Sequence, residues 1–127
     1  MPDKKILIVE DEILIAKQIE ILLKNSDYTP AGFASTGKEA IEKNSELLPD
    51  LILMDINLKG DMDGIDAAVK IKEKYDVPIV FLSAYTDPST MNRAKTAAPH
   101  GYISKPFIGN NLLTGIKTAL KKYITEK

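Results

Sequence analysis

The chain is 127 residues long, 44% hydrophobic and 28% charged, with a formal net charge of -1 and no cysteine. That profile fits one domain with a buried core, residues 1–127, and leaves no electrostatic footprint for nucleic acid or an anionic membrane. Disulfides, thiolate zinc sites and a cysteine nucleophile are excluded, and the N-terminal MPDKKILIVEDE has too short an apolar stretch for a signal peptide.

In chain order, the first apolar run is Ile6 to Val9, continuous rather than alternating, as in a strand covered on both faces. Ile15, Ile19, Leu22 and Leu23 then recur at helical spacing. YTPAGFA from Tyr28 is a weaker strand signal, followed by a helix on Ala40, Ile41, Leu47 and Leu48, opened by Thr36 with Glu39 as a capping box. Leu51 to Met54 is the next buried run. A helix with Ile65, Ala68 and Val69 follows, capped by Asp63. Ile79 to Leu82 is the fourth strand, and Asp87-Pro88 opens the helix after it. GYIS from Gly101 is the fifth strand, and Leu113, Ile116, Leu120 and Tyr123 mark the last helix.

Five β-α alternations predict an α/β fold, a doubly wound five-stranded parallel sheet of order 2-1-3-4-5 with five helices. The binding crevice of such a sheet lies beyond the carboxyl ends of its strands. The residues there are polar. Glu10, Asp11 and Glu12 follow the first strand, Asp55 ends the third, Ser83 the fourth, and Lys105 and Pro106 follow the fifth. The first and third strands are neighbours in this order, which brings Glu10, Asp11 and Asp55 together. Clustered carboxylates raise one another's pKa unless a cation joins them, and Mg²⁺ (or Mn²⁺) suits an all-oxygen set. Lys105 adds a positive charge for an anionic group. These parts fit phosphoryl transfer, and a carboxylate can itself be the nucleophile.

VEDE, LILMD, LS before Ala84, and GYISKPF resemble the receiver domain of two-component response regulators, CheY-like in fold, over nearly the whole chain. The resemblance implies that Asp55 is the phosphoacceptor, receiving its phosphoryl group from a sensor histidine kinase or a histidine phosphotransfer domain. It implies that Glu10, Asp11, Asp55 and the backbone carbonyl of Asn57 hold the metal. Ser83 would bond a phosphoryl oxygen, Lys105 would pair with the phosphoryl group, Tyr102 would be the aromatic switch, and Pro106 would follow a cis Lys-Pro bond. Such a domain controls an output partner and hydrolyses its acyl phosphate slowly, without being an enzyme in the turnover sense. The resemblance further implies an output or dimerisation face on the fourth helix, fifth strand and fifth helix, with Met91, Arg93, Lys95, Lys117 and Lys121. A degenerate receiver, acting only as a protein-interaction module, is the alternative.

Two stretches depart from the family pattern, DINLKGDMDG and AAPHGYISKPF, the latter from the more usual Gly-Ala-containing lead into the fifth strand. In DINLKGDMDG, Lys59 stands where proline is usual and the loop is one residue longer. Tyr85, two residues beyond Ser83, falls at a variable position that tunes dephosphorylation in the family. A flavodoxin-like cofactor module would need small residues in the first loop, where Glu-Asp-Glu stands. An Asp-nucleophile phosphatase would need a second Asp at the place of Asn57. His100, the single histidine, is expected at the surface, and the acidic run Asp61, Asp63 and Asp66 is expected to cap a helix. Neither the absence of a membrane-length apolar run, roughly 20 residues, nor the N-terminus suggests export, so the expected location is cytoplasmic.

Overall fold

The computed structural model describes residues 3–84 and 87–126. Its elements run β1 (Lys4–Val9), α1 (Ile13–Lys24), β2 (Tyr28–Ala34), α2 (Gly37–Leu47), β3 (Leu51–Asp55), α3 (Gly64–Lys74), β4 (Ile79–Ser83), α4 (Pro88–Thr96), β5 (Gly101–Ser104) and α5 (Gly109–Thr125). The five strands pair in parallel in the order β2-β1-β3-β4-β5. Tyr85 lies outside the described residues.

The lack of polar alternation in the central strands has a direct structural cause. Ile6 and Ile8, Leu51 and Leu53, and Val80 and Leu82 face one layer, with Ala16, Ile19 and Leu23 of α1 and Leu112, Ile116 and Ala119 of α5. Leu7 and Val9, Ile52 and Met54, and Ile79 and Phe81 face the other, with Ala40 of α2, Ile65, Ala68 and Ile71 of α3, and Ala94 of α4. Each large aliphatic side chain removed from water in this way contributes about 1.5–3 kcal/mol.

The edges of the sheet are built differently. On β2, Ile6 pairs with Pro30 but Leu7 with Gly32, so the register shifts there, and most of the strand is half-buried. On the opposite edge, β5 has only four residues.

Local chemistry sets the helix starts. Thr36 Oγ1 accepts the Glu39 amide at 3.0 Å, while the Glu39 carboxylate reaches the Ser35 amide at 2.6 Å rather than that of Thr36. Asp63 and Asp66 form a complete capping box, and Asp87 Oδ1 accepts the Thr90 amide ahead of Pro88. Leu48 is not on the apolar face of α2 as expected. It is the C-cap, left-handed at φ 46° and exposed, because the helix must end before Asp50 turns into β3. On α5, Leu112 is the fully buried residue, with Leu113 beside it only half-buried.

Candidate functional site

β1 carries its ladder one residue beyond the strand, with the Glu10 amide bonded to Ala34 O at 2.9 Å. This aims Glu10 into the crevice, with its carboxylate accepting the Glu12 amide at 3.3 Å. β3 is buried along its whole length, Asp55 included, and the Ile56 amide still bonds to Leu82 O at 3.0 Å. The Asp55 carboxylate is therefore fixed by a rigid strand, and Oδ1 accepts the Asn57 amide at 3.2 Å. At the far side, the Lys105 amide bonds to Ser83 O at 2.7 Å, which sets the ends of β4 and β5 side by side. The Lys105–Pro106 peptide is cis.

Glu10, Asp11 and Asp55 present carboxylate oxygens that all lie within 4.8 Å of one another. Lys105 Nζ stands 2.6 Å from Glu10 Oε1 and 3.4 Å from Asp55 Oδ2. Burial and the neighbouring Asp55 charge lift the Glu10 carboxyl to about 7, against the opposing pull of Lys105. Burial also works against the Lys105 charge, but there the two carboxylates prevail and hold the ammonium above its ordinary value. The donor set is three hard oxygen ligands in mutual repulsion, which a divalent cation relieves, so the residues fit Mg²⁺.

The remaining expected residues take distinct places. Ser83, half-buried, ends β4 beside Lys105. Tyr102 is 43% exposed, its ring centroid 6.2 Å from that of Phe81. Asn57 and Pro106 are exposed. Lys59 is exposed and joins Lys38, Gly60 and Met62 around a shallow cleft of about 360 Å³. A second cleft, of about 330 Å³, opens from Glu10 and Asp11 between α1 and β2, walled by Ile13, Ala16 and Phe33.

Two features are absent from the sequence reading. A Cβ on Gly64 would collide with the Asp55 carbonyl oxygen and approach the carbonyl carbon to 2.9 Å, so α3 starts directly against the backbone of Asp55. The glycine of the MDG stretch signals this, though spacing alone assigns it to a cap. The other is the reach of Arg93, expected only as part of the output face, across to Asp63 and Asp66. His100 is a correction: its side chain is 8% exposed, with Nε2 2.9 Å from Glu126 Oε2 and its ring edge-on to Tyr123. The last turns of α5 cover it, a long-range contact that local sequence does not reveal.

The response regulator receiver domain profile matches residues 6–117. The chain belongs to this family. Receiver domains are the signalling modules of two-component systems, bind Mg²⁺ at an acidic pocket, and work between a histidine kinase and an output partner. The transcriptional regulatory protein PdtaR of Mycobacterium tuberculosis is 36% identical over 94% of this receiver, which covers 58% of that protein. YdfI of Bacillus subtilis, another transcriptional regulatory protein, is 34% identical over 92% of the chain and 55% of its own length. The chain thus spans a little over half of these relatives. Among solved structures, the receiver domain of a modulated diguanylate cyclase from Desulfovibrio desulfuricans superposes with a TM-score of 0.92 at 34% identity, covering 98% of this chain and 99% of that one. The N-terminal domain of a response regulator/sensory box/GGDEF protein from Carboxydothermus hydrogenoformans gives 0.89 at 40%, with 97% and 98% covered. Among the described residues, no helix is long and apolar enough to cross a membrane.

Proposed function

We propose that this receiver accepts a phosphoryl group on Asp55 from a phosphohistidine of a partner kinase or phosphotransfer domain, and changes conformation in consequence. The convergence of Asp55, Glu10, Asp11 and Lys105 at one strand edge carries this reading. In the transfer, an Asp55 carboxylate oxygen forms the new O–P bond while the N–P bond of the donor breaks. The bonding pair stays on the imidazole nitrogen, which takes up a proton. An ionised carboxylate needs no general base.

Glu10, Asp11, Asp55 and the Asn57 carbonyl are the groups that would hold Mg²⁺ or Mn²⁺, which supplies charge neutralisation at the phosphoryl oxygens. Lys105, already paired with Asp55, follows the charge onto the phosphoryl group, and the Ser83 hydroxyl bonds a phosphoryl oxygen. Tyr102 turns inward as that hydroxyl moves. Lys59 lies on the approach and favours an anionic donor, so Lys59→Ala slows phosphorylation and flattens its salt dependence. Slow hydrolysis of the acyl phosphate resets the domain.

The unit operates in the cytoplasm, alone or as a module of a longer regulator or hybrid kinase. Its output, including dimerisation, runs through α4, β5 and α5; unchanged sedimentation with beryllofluoride would count against the dimer. The deciding experiment is intact mass after incubation with acetyl phosphate and Mg²⁺. One added phosphoryl group, lost in Asp55→Asn and without metal, supports the proposal. No addition under any condition leaves a degenerate receiver that acts only by binding.

A further inference from the structure

α4 is a nine-residue helix with Ala94 as its one buried residue. Apolar anchorage is slight, supplied by Ala94 and the C-cap Ala97, so polar ties contribute to where this short helix sits. Among the described residues, one such tie is Arg93. Its Nη1 donates to Asp63 Oδ2 at 2.9 Å, and its Nη2 donates to Asp63 Oδ1 at 3.2 Å and to Asp66 Oδ1 at 3.1 Å. At the other end, Lys72 of α3 donates to Ala98 O, just past α4, at 2.5 Å.

The two carboxylates that Arg93 grips are also the capping box of α3. Asp63 Oδ1 accepts the Asp66 amide at 2.9 Å, and Asp66 Oδ2 accepts the Asp63 amide at 3.3 Å. The next residue is Gly64, whose amide bonds to Ile56 O at 2.9 Å and whose missing side chain lets it lie against the Asp55 carbonyl. From the guanidinium to the backbone of Asp55 the contacts are continuous: fork, cap, glycine, carbonyl. Arg93 is half exposed, and an ion pair of that kind adds little stability by itself. Its planar fork, however, fixes two groups in mutual orientation as a point charge cannot.

We propose that Arg93 is a positioning residue that couples α4 to the backbone of Asp55 through the capping box of α3. The significance of that coupling for signalling rests on Asp55 as phosphoacceptor; the coupling itself does not. A displacement of either end must then be transmitted to the other, since linkage between two sites is reciprocal.

Hydrogen exchange on the full chain tests both parts. Without ligand, Arg93→Ala should speed exchange about fivefold or more in α4 and also in the segment from Asp55 to Gly64, with β1 unchanged. Arg93→Lys, which keeps the charge and loses the fork, should restore little. A speed-up confined to α4, or spread evenly over the chain, overturns the proposal. With Mg²⁺ and beryllofluoride, the wild type should show altered exchange in α4. Arg93→Ala should bind the same probe, by its ¹⁹F signal, with that α4 response largely lost. An α4 response equal to that of the wild type overturns the proposal as well. No bound ¹⁹F signal in the wild type would sink the acceptor role of Asp55, and the ligand-free comparison then decides the coupling alone.

Discussion

Lys105 is shared unequally between two buried carboxylates, with its ammonium 2.6 Å from Glu10 and 3.4 Å from Asp55. The carboxylate nearer the ammonium is not the proposed acceptor. Asp55 instead adds to the burden on Glu10, whose carboxyl stands near 7 through burial and that neighbouring charge. The close pair of buried carboxylates is thus maintained at some expense to the fold.

Asp55→Asn should therefore stabilise the metal-free chain by about 1 kcal/mol, the scale of one pKa unit of relieved repulsion, while abolishing phosphoryl uptake. The Lys105–Glu10 pair survives the change. A urea midpoint at or below that of the wild type would mean that Lys105 already compensates Asp55 in full.

Mg²⁺ should raise Tm by mass action, because it binds the folded carboxylates and not the dispersed ones. Asp11→Asn removes one oxygen anion of the cluster without touching the Lys105 pairs. It should weaken Mg²⁺ about tenfold, roughly 1.4 kcal/mol, read as a shift in the metal titration of Tm. An unchanged titration would place the ion elsewhere.

Gly64→Ala should cost about 3 kcal/mol by overpacking, more than an added methyl at an ordinary helix start, because its obstacle is the backbone carbonyl of Asp55. Denaturant unfolding measures the loss. A variant near wild-type stability would show that α3 can slide away from β3.

The Arg93 tie has a defined acid limit. Burial alone would raise the Asp63 carboxyl, but the hydrogen bond from Arg93, the bonds with Asp66 and the guanidinium charge outweigh it and hold it below the ordinary 3.8. A lowered folded value means that this contribution is complete above the unfolded pKa and is lost as pH falls through the folded one. The stability gap between wild type and Arg93→Ala should stay level from neutral pH to about 4, then close on further acidification. A gap that already narrows between pH 7 and 5 would point to a different titrating group.

Much of the site was legible because the chemistry sits at strand ends. Glu10, Asp11, Asp55, Ser83 and Lys105 could be brought to one edge from strand order alone, and the structure places them there. The helix caps at Thr36, Asp63 and Asp87 were equally local signals. What escaped was long-range. Arg93 carries no mark of the carboxylates 30 and 27 residues before it, and the burial of His100 depends on where the end of α5 comes to rest. Leu48 looked apolar and helical, yet its backbone was needed for the turn into β3.

The two margins of the sheet carry a consequence for life in a crowded compartment. An uncovered strand edge is a template on which another chain can zip. Here β2 offers Pro30, which has no amide to donate, and a register shift that bends the strand, while β5 stops after four residues. Both margins are therefore poor templates for backbone pairing with another chain.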